Sequence, residues 1–112
     1  MIYKPFDIVV VPFPFTDSAN QKRRPALVLS NWEPFGGRIG HSVMAMITSA
    51  ENTAWPLDVP IEDLANAGLP APSVVRIKLF TLDHRFFIQK CGKLAPSDKA
   101  AVQSALKSLF PR

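Results

Sequence analysis

Eleven of the 112 residues are proline, roughly twice the usual ~5%, and this limits the fold more than any other feature. Proline has no N–H to give to a ladder or a helix interior, so it punctuates regular structure, and the proline-poor windows mark the elements. A first strand is expected over 7–11. It continues irregularly through Pro12-Phe13-Pro14-Phe15, where the prolines share one phase and the phenylalanines the other, as in a strand running off a sheet edge. Residues 16–21 read as a polar loop, Lys22-Arg23-Arg24 as a basic cluster at the mouth of a strand, and 25–30 as a buried β-run opened by Pro25. Pro34, Gly36, Gly37 and Gly40 make 31–42 a loop or wide hairpin leading to a third strand over 42–48. Beyond it we expect a short strand around 57–59, one or two helical turns over 62–67 ended by Gly68, and a strand over 73–77. A connection over 81–84 then enters a strand over 85–90, favoured by Phe86-Phe87-Ile88 and closed by Gly92.

Only 96–110 has the spacing of a substantial helix, with Val102, Ala105, Leu106 and Leu109 on one face. Its start has two readings: Ser97 as the cap, or Pro96 as the first helical residue after Ala95, with Asp98 near the positive end of the dipole. Five or six strands and one terminal helix, in a chain 47% apolar, predict a single domain over 1–112. The fold class is mainly β with a C-terminal helix (α+β), a small, partly open SH3-like barrel.

Several classes of protein are disfavoured. No apolar run approaches the ~18 residues of a membrane span, and residues 1–5 lack the apolar segment of a signal peptide, so a soluble, cytoplasmic protein is expected. Cys91 has no second cysteine to pair with, and with only His41 and His84 beside it no metal site is expected. The net charge of +4 is unevenly spread. Residues 76–93 hold Arg76, Lys78, Arg85, Lys90 and Lys93 against Asp83 alone, whereas 49–75 hold Glu51, Asp58, Glu62 and Asp63 and no Lys or Arg. This fits a basic region for phosphates beside an acidic one, and equally an ordinary solvated surface.

Nucleophilic catalysis has little support, because Cys91 has no histidine near it in sequence and no G-x-S-x-G motif occurs. His41 and His84 could form an acid/base pair, yet both fall in loops and read more simply as turn residues; Glu62-Asp63 reads as a solvated face. The more informative pair is Arg24, before Pro25, and Thr48, at the end of the third strand. A guanidinium presents five donors in a fork that matches phosphate oxygens, and a strand end holds such a group firmly. Taken singly, Arg24 reads equally as a surface cation and Thr48 as an ordinary strand residue.

These residues also carry a resemblance. Asp7-Ile8-Val9-Val10-Val11-Pro12-Phe13-Pro14-Phe15-Thr16-Asp17, followed by Lys22-Arg23-Arg24-Pro25-Ala26-Leu27-Val28-Leu29-Ser30, resembles the amino-terminal signature of the PemK/MazF toxins of type II toxin–antitoxin systems. Ile47-Thr48-Ser49 resembles the family's strand-end threonine. Gly68-Leu69, Pro72-Ser73-Val74-Val75-Arg76 and Gly92-Lys93-Leu94 resemble its carboxy-terminal half.

The resemblance implies an SH3-like barrel of the MazF/PemK/CcdB type, a homodimer, a cognate antitoxin as partner, and no cofactor. It also implies a metal-independent endoribonuclease, an mRNA interferase, cutting single-stranded RNA to leave 2′,3′-cyclic phosphate and 5′-hydroxyl ends. Arg24 and Thr48 fall on the family's catalytic positions; because arginine keeps its proton, electrostatic stabilisation is weighted above a general-base role. Phe15, Ser18, Asn20, Gln21, Lys22, Arg23 and Ser49 are the expected RNA contacts, with the loops 16–23 and 50–56 flanking the substrate. Phe15, Trp32, Phe35 and Trp55 are possible base platforms, of which at least two are expected in the core or a dimer contact.

Two departures from the family pattern stand out. Phe6 occupies a position often held by glycine, and Ala19 lies approximately where some relatives carry a glutamate. The alternatives are a CcdB-like toxin that binds gyrase without catalysis and a non-catalytic RNA-binding barrel.

Overall fold

The computed structural model describes residues 1–13 and 22–111. Six strands form one sheet: β1 (Asp7–Phe13), β2 (Lys22–Val28), β3 (His41–Ser49), β4 (Val59–Pro60), β5 (Ser73–Asp83) and β6 (Gln89–Lys93). Their order is β4-β5-β3-β2-β1-β6, and each pairing is antiparallel. Prolines sit where this arrangement tolerates them. Pro60 is on the edge strand β4, and Pro12 lies beyond Val10, the last β1 residue paired with β6.

Both faces of the sheet are covered, because side chains alternate along each strand. Ile8, Leu27, Ala45, Ile47, Val75 and Ile77 face one way. They pack with Val59, Ile61 and Leu94, with Ala67 of the short helix α2 (Leu64–Ala67), and with Val102 and Ala105 of α3 (Pro96–Leu109). Val9, Val11, Ala26, Val28, Met44 and Leu82 face the other way, under Tyr3, Phe80 and Phe87. Two irregularities curl the sheet into a half-barrel. Cys91 is the extra residue between the partners of Ile8 and Val9, and Ile77-Lys78 are extra between the partners of Ala45 and Met46.

The terminal helix forms as expected. Ala95 precedes Pro96 at the first helical position, so the second reading of its start is the observed one. Asp98 is buried, and its carboxylate accepts from the backbone N–H of Glu62 and of Asp63, both at 3.0 Å. It thus ties α3 to the loop before α2 as well as lying in the helix's first turn. Leu109 stays at the surface and leaves the apolar face to Val102, Ala105 and Leu106.

Four expectations are corrected. Residues 31–42 hold a wide helical turn (Trp32–Gly36) running into one turn of α-helix, α1 (Gly37–Ile39), instead of a loop or wide hairpin. Strand β2 begins at Lys22, so the basic cluster lies within it, paired with β1. β5 runs unbroken to Asp83, since pairing with all of β3 outweighs the turn signal at 81–84. The strand expected over 85–90 is a helical turn (His84–Phe86) followed by β6. The Asp83 carboxylate accepts the Arg85 N–H at 2.8 Å, and this local cap overrides the β-propensity of Phe86.

Gly92 lies inside β6, where a Cβ would stand 2.6 Å from the Asn66 carbonyl oxygen; the close approach of α2 requires glycine there. Phe6 adopts φ 72°, a conformation glycine adopts freely. Its ring packs against the core, and its N–H donates to the Val28 carbonyl at 2.6 Å.

Candidate functional site

The site begins with a missing hydrogen. Leu29 N–H donates to the Val43 carbonyl at 2.8 Å, so by the alternation of an antiparallel ladder the backbones of residues 29, 27 and 25 face β3. At 25 the residue is proline and the donor is absent. The paired register of β2 with β3 accordingly ends at Ala26 opposite Met46. Continuing it two residues outward brings Arg24 opposite Thr48, on one face of the sheet, where the ladder has stopped. Two cavities, of ≈ 370 and ≈ 330 Å³, adjoin there and share Arg24, Ile47 and Thr48 in their walls.

In the larger cavity Met46, Phe13, Leu79 and Phe80 supply apolar surface, while Arg76, Lys78 and Asn52 add polar groups. The Arg24 guanidinium lies 5.9 Å from the centroid of the Phe13 ring. Its Nε is covered and has no hydrogen-bond partner among the described residues, an arrangement that costs stability. The smaller cavity is walled by Lys22, Arg23, Ser49 and the Leu69-Pro70-Ala71-Pro72 turn. Among the described residues neither wall carries a carboxylate or a histidine.

Arg76 has a different character. Its Nε and Nη2 donate to the Asp58 carboxylate at 3.2 and 3.0 Å, and Nη2 also donates to the Thr53 carbonyl at 2.7 Å. The cation counted in the basic stretch is neutralised, and it staples the 50–58 segment to β5. On that segment Trp55 donates Nε1–H to the Ile77 carbonyl at 3.3 Å, with Lys78 Nζ 5.0 Å and the Arg76 guanidinium 5.8 Å from its ring. The indole stays partly exposed.

Of the residues singled out by sequence, Lys22, Arg23, Arg24, Thr48 and Ser49 therefore line adjoining cavities. Ser49 also spends its hydroxyl oxygen on the Glu51 N–H at 3.2 Å. Phe15, Ser18, Asn20 and Gln21 lie outside the described residues. Trp32 stacks on His84, with ring centroids 5.6 Å apart, and neither it nor Phe35 lines these cavities. His41 and His84 sit at the opposite end of β3, roughly 20 Å of strand from Thr48. His84 Nε2 hydrogen-bonds the Ser42 hydroxyl at 2.8 Å, and burial lowers its pKa below the ordinary histidine value. Burial likewise raises the Cys91 thiol, away from a nucleophile's range. Asn52 and Arg76 were not among the expected site residues: Asn52 is covered only by the 50–56 loop and Arg76 only by the Pro72–Arg76 resemblance and the basic stretch, and it is the fold that brings the loop and β5 to one cavity.

A family model described as "PemK-like, MazF-like toxin of type II toxin-antitoxin system" matches residues 4–110. Among solved structures, the chain is similar to the Mycobacterium tuberculosis toxin MazF-mt6 at 25% identity and a TM-score of 0.72, over 93% of this chain and 95% of that one. It shares its fold with MazE-MazF from Deinococcus radiodurans, at 24% identity and a TM-score of 0.76, over 97% and 96% of the two chains. It also shares its fold with an endoribonuclease in complex with its cognate antitoxin from a mycobacterial species, at 14% identity and a TM-score of 0.73, over 99% and 97%. Comparison with curated proteins finds no match. No helix among the described residues is long and apolar enough to cross a membrane.

Proposed function

The chain belongs to the PemK-like, MazF-like toxins of type II toxin–antitoxin systems, and from that membership and the Arg24–Thr48 groove we propose that it is a metal-independent endoribonuclease acting on single-stranded messenger RNA. The observation that carries this reading is the convergence of a guanidinium and a hydroxyl, from two different strands, at the gap that Pro25 opens between two cavities. One cavity is apolar-floored and suits a base; the other is rimmed by Lys22 and Arg23 and suits the adjoining phosphates.

In the reaction the RNA 2′-oxygen attacks the adjacent phosphorus and its proton passes to solvent. The P–O5′ bond breaks and the 5′-oxygen takes up a proton. The products are a 2′,3′-cyclic phosphate and a 5′-hydroxyl end. Charge that accumulates on the non-bridging oxygens is met by the fixed Arg24 fork and by the Thr48 hydroxyl, which is transition-state stabilisation by preorganised donors. Lys22, Arg23 and Ser49 are assigned to RNA contacts, as are Phe15, Ser18, Asn20 and Gln21, which precede β2 in sequence, with Trp55 as a base platform.

Cleavage of messenger RNA in the cytoplasm would arrest translation and growth. The partners on this reading are a second copy of the chain and a cognate antitoxin; the antitoxin complexes among the similar structures support the latter. Exposed Phe86, Ile88 and Phe110 offer apolar surface for such partners to cover.

The test is to incubate the purified chain with a long single-stranded RNA in EDTA and map the ends produced, with Arg24→Ala alongside. Discrete cuts ending in 2′,3′-cyclic phosphate, absent in the variant, support the reading. Folded wild-type protein that leaves varied RNAs intact would overturn it and leave a binding toxin.

A further inference from the structure

The Thr48 hydroxyl has a single side-chain partner among the described residues. Asn52 Nδ2 donates to Thr48 Oγ1 across the turn that follows β3. That turn is closed by Asn52 N–H donating to the Ser49 carbonyl at 3.1 Å, by Glu51 N–H donating to Ser49 Oγ at 3.2 Å, and by Ala50 N–H donating to the Pro72 carbonyl at 3.1 Å. Three backbone donors thus fix where the Asn52 side chain emerges, and both it and Thr48 line the larger cavity.

A threonine hydroxyl offers one proton and two lone pairs. When Asn52 donates to it, one lone pair is used and the proton remains for another acceptor. Were it to accept nothing from its neighbours, its proton would be free to rotate toward any nearby carbonyl. We propose that Asn52 is a positioning residue: its side-chain amide holds the Thr48 hydroxyl as a hydrogen-bond donor directed at the groove. The inference rests on the ribonuclease reading and deepens it. Thr48 is the group that touches phosphate; Asn52 acts through it. The polarisation of one hydrogen bond by the next strengthens the donor that Thr48 presents.

The experiment combines kinetics with a measurement that needs no cleavage. Single-turnover rates and RNA affinities are compared for wild type, Asn52→Leu, Asn52→Asp, Thr48→Val and the Asn52→Leu/Thr48→Val double variant. Asn52→Leu keeps the side chain's shape and removes the donor. It should lower kcat about 10-fold with KM within about twofold, less than the ~10²–10³-fold typical of losing a direct donor to the transition state, which is the range expected for Thr48→Val. Asn52→Asp should be slower than Asn52→Leu, since a carboxylate would take the hydroxyl proton for itself. In the double variant the two losses should not add, because Asn52 has nothing left to orient.

In parallel, the Asn52 side-chain amide resonance should move upfield in Thr48→Val. Additive kinetic losses, an unchanged rate in Asn52→Leu, or an unmoved amide resonance would each overturn the proposal. If the wild-type chain cuts no RNA, the ribonuclease reading falls, and the amide resonance still decides whether Asn52 holds the hydroxyl.

Discussion

Two arginines line the same cavity, and their removal should separate stability from activity. Arg76 makes a two-pronged bridge to Asp58 and a third hydrogen bond to the Thr53 carbonyl. The side chains of the pair are 13% and 17% exposed. They stand between a surface bridge, worth ~0–1 kcal/mol, and a fully buried one, whose breakage costs ~3–5 kcal/mol. Arg76→Met would leave the Asp58 carboxylate, among the described residues, only the Trp55 backbone N–H at 3.0 Å, so a loss of about 2–4 kcal/mol is expected.

For Arg24 the terms have opposite signs. Arg24→Met relieves a covered donor without a partner, a gain of about 1–3 kcal/mol. It forfeits the contact with the Phe13 ring, about 0.5–1 kcal/mol, and some aliphatic packing. The net change should fall within about 1 kcal/mol of wild type. Urea unfolding at one fixed protein concentration measures both, with single-turnover RNA cleavage run well below each midpoint. Arg24→Met should be as stable as wild type and silent. Arg76→Met should be destabilised yet still cut the RNA it binds, with weaker affinity because the 50–58 segment has lost its staple. Equal destabilisation by the two substitutions, or a cost below about 1 kcal/mol for Arg76→Met, would refute the reasoning.

Three further outcomes follow from the same structure. Pro25→Ala restores an N–H facing β3. Stability should change by under about 1 kcal/mol, since one backbone bond gained offsets the lost proline rigidity. Cleavage should fall as the gap closes, and hydrogen exchange should find a protected amide at 25; exchange at loop rates would sink the ladder account. Gly68→Ala should cost more than about 3 kcal/mol, because Gly68 has φ 73° and a Cβ there would stand 2.2 Å from the Cys91 carbonyl oxygen; a denaturation midpoint near wild type would contradict it.

The third concerns acid. His84 lies against Tyr3, Trp32 and Phe87 with its pKa lowered by burial, so the folded state binds its proton less readily than the unfolded chain does. Its contribution is intact above the ordinary histidine range and is lost as pH falls through that range toward the folded value. Thermal midpoints measured between neutral pH and pH ~5 should drop less steeply in His84→Gln; parallel slopes would show that other groups carry the acid sensitivity.

Much of the architecture was legible because its causes are local. The proline-poor apolar runs of β1 and β3, the proline ahead of α3 and the glycine at the end of α2 each act within a few residues of chain. The misreadings came where a neighbour overrode a local preference. Phe86-Phe87-Ile88 favours a strand, yet the Asp83 carboxylate captures the Arg85 N–H and turns the chain first. Charge counting put Arg76 in a basic stretch and Asp58 in an acidic one, with no means of seeing that they meet 18 residues apart and cancel.

The site divides in the same way. Arg24 and Thr48 were recognisable from sequence as residues able to bind a phosphate, because a guanidinium fork and a hydroxyl are properties of single residues; Pro25 reads there only as the opening of a strand, and its place inside β2 comes from the fold. That Arg24 and Thr48 line the same two cavities, that Asn52 reaches back to Thr48, and that Arg76 is a staple instead of a free cation were decided by the tertiary structure alone. Which side chains meet across strands depends on register, and register is set by packing both faces of the curled sheet at once. A one-residue slip would turn Arg24 to the opposite face while leaving each local signal in the sequence unchanged.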